Sequence, residues 1–101
     1  MAVNITLRTR EIIEHLFGAA KVPLVEQLLI DECGSNLPLY KPSTPEGLER
    51  VQFAVLKLSQ GDDDKLLETI LLAKRDWRDV LVWAGFGNDL DAHNQWAKDL
   101  K

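Results

Sequence analysis

The chain has 101 residues and a mass of 11.4 kDa, a length that sets one domain as the expectation. Hydrophobic residues are 46% and charged residues 28% of the chain, a globular balance that excludes a disordered or collagen-like polypeptide. The net charge of −4 argues against a dedicated nucleic-acid or acidic-membrane binder, and one cysteine leaves neither an internal disulfide nor a cysteine-rich zinc site.

Met1 to Arg8 lack the basic region and apolar run of a secretory signal. The longest strongly apolar run, Val80 to Ala84, falls far short of the about 20 residues that a membrane-spanning helix takes. The expectation is a soluble, cytoplasmic protein with no membrane partner, and the lone Cys33 suits a reducing compartment.

In chain order, Val3, Ile5 and Leu7 alternate with Asn4, Thr6 and Arg8, the period of a strand, so residues 1–8 read as extended. Thr9 then caps a short helix through Phe17, with Ile12, Ile13, Leu16 and Phe17 as its apolar face and Gly18 as its stop. Pro23 suits the first position of a second helix, in which Leu24, Val25, Leu28, Leu29 and Cys33 form the stripe and Gly34 the end. Residues 34–44 contain Pro38 and Pro42 and read as a loop.

Thr44-Pro45-Glu46 opens a third helix with a stripe of Leu48, Val51, Ala54, Val55 and Leu58, an Glu46–Arg50 surface pair, and Gly61 as its stop. Asp62-Asp63-Asp64 opens a fourth, which carries Leu66, Leu67, Ile70, Leu71 and Ala73 and closes on Lys74; acids lead and bases follow, as the macrodipole prefers. Asp76 and Asp79 have the spacing of a capping box for a fifth helix, Trp77 to Ala84. Gly85 stops it and Phe86 folds back. Asn88-Asp89 caps a sixth, Leu90 to Leu100. Short helices with short joints make an all-α, compact bundle of five or six helices. The alternative is an α+β fold in which the N-terminal segment pairs as a strand with residues 79–83.

Chemistry is thinly signalled. Three consecutive aspartates diverge at a helix start and suit capping better than a cation, which needs converging oxygens. His15, Cys33 and His93 lie on three different expected helices with no paired ligand spacing. Cys33 sits at a helix C-terminus, where the dipole opposes a thiolate. No nucleophile elbow, P-loop or dinucleotide fingerprint is present. No catalytic residue, metal ligand or cofactor is therefore expected. Lys74-Arg75-Asp76-Trp77-Arg78 interleaves bases with an aromatic ring, but a helix-turn-helix drawn through 63–74 and 76–84 would have a second helix too apolar to read a groove.

The aromatic residues are the informative feature. Trp77, Trp83 and Trp96 all fall in the last quarter of the chain, with Phe86 among them. Trp77, Val80, Leu81 and Ala84 share one helical face, and Trp83 stands roughly 120° from Trp77. Either this short helix is covered on several sides and Val82 and Trp83 join the core, or Trp83 and Phe86 form a partly exposed patch that binds a partner. The functional expectation is a protein–protein interaction or regulatory module, docking a protein partner or a second copy at Trp83 and Phe86. The alternatives are a nucleic-acid-associated regulator, if Arg75 and Arg78 join Arg8, Arg10 and Lys74 on one face, and a small enzyme or metal-binding protein.

Overall fold

In the computed structural model, the described residues form five α-helices and one 3-10 turn in succession. The structure describes residues 5–32, 45–87 and 91–100, with residues 45–48 as backbone only. The helices are α1 (Leu7–Phe17), α2 (Val22–Glu32), α3 (Pro45–Ser59), α4 (Asp63–Ala84) and α5 (Ala92–Leu100), and the 3-10 turn Ala19–Lys21 joins α1 to α2. The described residues contain no strand. Residues 79–83 lie inside α4, so the α+β alternative is overturned and the fold is all-α. Cys33, the expected loop 34–44 and the Asn88-Asp89 cap lie outside the described residues.

The N-terminal expectation also needs correction. Leu7 and Arg8 are helical, and the cap is Thr6 rather than Thr9. Thr6 is extended (φ −74°, ψ 159°), and its hydroxyl accepts from the Thr9 amide at 3.2 Å. This satisfies one of the amides that a helix start leaves unpaired. Thr9 itself is fully buried. Leu7, which the alternating pattern would place on a strand's inner face, is exposed.

Helix α3 is the axis of the bundle. Residues 51–56 are buried without a break, so Phe53 and Leu56 join Val51, Ala54 and Val55 in the core. Over this run burial extends round the helix, beyond the single stripe of an amphipathic surface helix, while Arg50, Lys57 and Leu58 on either side of it are half-buried. It packs against α1, α4 and α5, with α2 completing the wall against α1 and α4. Ile12 and Ile13 of α1, Val25 and Leu29 of α2, and Leu66, Ile70 and Ala73 of α4 fill the same core.

The joint between α3 and α4 is tight. Gln60 and Gly61 both adopt positive φ, 54° and 76°. Asp62 then caps α4, its carboxylate accepting from the Asp64 amide at 2.9 Å and the Lys65 amide at 3.1 Å. The three aspartates thus serve the helix start. The expected fourth and fifth helices run on as the single element α4, broken at Asp76, whose backbone (φ −156°, ψ 95°) is not helical. Asp76 Oδ1 accepts from the Arg78 amide at 3.1 Å, so this residue ends one limb, 63–75, and caps the next, 77–84.

Candidate docking surface

The second limb of α4 buries Val80, Leu81 and Ala84 and half-buries Trp77, the face that helical spacing picks out. Its other side is open. Val82 is 63% exposed and Trp83 65% exposed, so neither joins the core, and the helix is not covered on several sides.

Phe86 behaves in the opposite way. It is 1% exposed and does not form a surface patch with Trp83. The cause is the way α4 ends. Gly85 takes the left-handed conformation (φ 85°, ψ 16°). The Phe86 amide then bonds back to Leu81 O at 2.8 Å, and the Gly85 amide to Val82 O at 3.0 Å. That pair of bonds is a Schellman cap, whose residue after the glycine turns its side chain inward onto the last helical turn. Helix α3 fastens the cap. Lys57 Nζ donates to Ala84 O at 2.7 Å and stands 5.1 Å from the centre of the Phe86 ring. The Arg50 guanidinium donates to Phe86 O. Phe86 also meets His93 and Trp96 of α5, with ring centres 6.2 Å and 6.1 Å away.

Trp83 instead walls an open groove of about 590 Å³ between the limbs of α4 and the end of α3. The half-buried Leu58 and Leu72 and the exposed Leu71 line it, and Lys65, Glu68 and Arg75 bring charge to it. Leu71 is 62% exposed. The sequence run Leu66, Leu67, Ile70, Leu71, Ala73 is too wide for one helical face. The structure splits it: Leu66, Ile70 and Ala73 point inward, and Leu67 and Leu71 outward. Of that outward pair, Leu71 lines the groove, and the width of the run is the sequence signal for it.

Compared with family models, with curated proteins and with solved structures, the chain matches none. Its chemistry is therefore read from its own geometry.

A second cluster lies where α1, α3 and α5 meet. Glu49 is buried and accepts from the Thr6 hydroxyl at 2.6 Å and from the Arg8 guanidinium. Arg8 also donates to Asn94 Oδ1 at 2.7 Å and lies over the Phe53 ring. Thus α1, α3 and α5 are tied at one point. His93 is buried beside it, edge-on to Phe53 at 5.6 Å, and its Nδ1 has no hydrogen-bond partner. Burial would raise the Glu49 carboxyl, but the bonds from Arg8 and Thr6 and the Arg8 charge outweigh it and hold it below the ordinary carboxylate range. Burial lowers the His93 imidazole, and the Arg50 and Arg8 charges reinforce that, while Glu49 and Asp91 oppose it.

Both groups push stability the same way. Below about pH 6.5 the unfolded chain takes a proton that folded His93 refuses, so stability falls as acid is added. Glu49 adds a second loss as pH drops below its unfolded value and through its folded one. Wild type is expected to show a lower thermal midpoint at pH 5.5 than at pH 7.5, and His93→Gln a smaller drop over the same interval. Equal drops would show that His93 is not the responsible group.

The remaining candidates are not drawn together. Among the described residues no group of three His, Cys, Asp or Glu side chains converges. His15 is exposed on α1. Of the five bases that would make a nucleic-acid face, Arg8, Arg10, Lys74 and Arg78 are ion-paired with Glu49, Glu26, Glu32 and Asp76, so a phosphate would have to displace a carboxylate at each. No helix of the described residues is long and apolar enough to cross a membrane.

Proposed function

We propose that the chain is a protein-recognition module that docks an apolar surface of another polypeptide at the Trp83 groove, in the reducing cytoplasm that its lone Cys33 suits. One observation carries this: Leu67, Leu71, Val82 and Trp83 of α4 are each about half exposed or more, while the rest of that helix's large apolar side chains are buried or half-buried. Single exposed apolar residues are ordinary, but several on one element beside a groove mark an interaction site. Trp83 supplies a large, stiff anchor of the kind that dominates binding energy once desolvated.

Trp83→Ser separates this role from a structural one. Because the indole is mostly in solvent, the change is expected to alter stability by under about 1 kcal/mol. It is expected to abolish the association of the immobilised chain with polypeptides of its host extract. A thermal midpoint lowered by many degrees, or capture that is the same for both proteins, would overturn the proposal.

A further inference from the structure

The open face of α4 carries a charge pattern that fits its own reverse. The first limb of α4 begins with Asp63 and Asp64 and closes with Lys74 and Arg75. On its outward side, Glu68 and Arg75 flank the exposed Leu71. Glu68 and Arg75 are seven residues apart, about 10 Å along the helix axis, too far to pair with each other. Neither side chain makes an ion pair or hydrogen bond with another described residue. Most cations elsewhere are engaged: Arg8, Arg10, Lys21, Lys74 and Arg78 by carboxylates, and Lys57 and Arg50 by carbonyl oxygens. These two charges of opposite sign thus stand on either side of the exposed Leu71 and the half-buried Leu72.

We infer that the groove's occupant is a second copy of this chain, paired antiparallel through the first limb of α4 about a two-fold axis between Leu71 and Leu72. This rests on the recognition reading above and names its partner. A two-fold axis at that place sets Glu68 of one copy against Arg75 of the other, and does so twice. It brings the two Leu71 side chains together at the centre, where each leaves water. The result is an isologous contact, in which one patch serves both partners. The acidic-to-basic gradient also suits the helix's own dipole, and an antiparallel pairing sets those dipoles head to tail. Beyond Asp76 the second limb leaves this axis, and Trp83 returns as the groove wall that covers the incoming leucine.

Sedimentation equilibrium of the full chain tests this, with circular dichroism melts confirming that each variant folds. The wild type is expected to be dimeric at micromolar concentrations and to dissociate more readily as salt screens the paired charges. Glu68→Arg and Arg75→Glu each turn two attractions into two repulsions, and each is expected to weaken the dimer by about tenfold or more. The double variant E68R/R75E restores both pairs with their signs exchanged, and is expected to return to within about threefold of wild type. Leu71→Glu is expected to be monomeric. A folded wild type that stays monomeric, or single variants whose loss the double variant does not recover, would overturn the inference. If that monomer still captures a host polypeptide through Trp83, the second-copy occupant fails and the recognition reading stands. If it captures nothing, both fail.

Discussion

Phe86→Ala is expected to destabilise the protein by about 3–5 kcal/mol, the cost of truncating a buried aromatic ring. Trp83→Ser, three residues earlier, is expected to leave the fold nearly untouched. The contrast comes from the end of α4. Gly85 reverses the chain, and the Phe86 amide bonds to Leu81 O. The ring is thereby delivered between Lys57 of α3 and the His93 and Trp96 rings of α5. Removing it opens a cavity where α3, α4 and α5 meet, and it strips the ring from beneath the Lys57 ammonium. The Arg50 and Lys57 bonds go to the backbone carbonyls of Phe86 and Ala84, so they persist only while the chain end holds its place. Urea denaturation gives the number. A loss under about 1 kcal/mol would mean that Phe86 is a surface residue and that the cap does not turn it inward.

The features legible in the sequence are those decided by a few neighbouring residues. Asp62 caps α4 and Gly85 ends it because the cap chemistry lies within one turn of the chain. Asp76 reads as a cap for the same reason, and the structure puts the break there. The misreadings have distant causes. Thr6 and Thr9 are equally good caps by composition, and Thr6 has the role in a site where its hydroxyl also reaches Glu49, a residue of α3. The three-residue alternation of Val3, Ile5 and Leu7 is too short to outweigh that contact. Helix α3 shows a plain stripe, yet residues 51–56 are all buried, because which helices pack around it is a property of the whole packing.

The candidate site divides along the same line. The 120° between Trp77 and Trp83 is local geometry, and it leaves room for an exposed Trp83. The burial of Phe86 needed the inward turn that follows a left-handed glycine, a consequence of the Gly85 stop. The tie of Thr6, Arg8, Glu49 and Asn94 joins three helices, and no spacing along the chain announces it. Glu68 and Arg75 carry no motif either. They stand out only in the folded structure, where the neighbouring Lys74 and Arg78 are ion-paired and these two are not.

Gly61→Ala is expected to cost about 3 kcal/mol or more, an unusually large effect for a single added methyl group. Gly61 sits in the three-residue joint between α3 and α4 at φ 76°, a conformation that costs any L-residue with a side chain about 1–2 kcal/mol. Space adds a second cost. A Cβ there would lie 2.6 Å from Leu16 O, a backbone atom in the last turn of α1 that cannot rotate away. To admit the methyl group, α1 must move off the joint, and α1 carries Ile12 and Ile13 of the core and the Arg8 side of the Glu49 tie. Gly85→Ala supplies the control. Gly85 also has a positive φ, 85°, but a Cβ there would meet only Lys57 Nζ, at 3.8 Å, an ordinary contact with the tip of a flexible side chain, so that variant reads backbone strain. The difference between the two urea midpoints isolates the clash between the joint and α1. If Gly61→Ala proves no more destabilising than Gly85→Ala, then α1 does not rest on the α3–α4 joint at the distance observed.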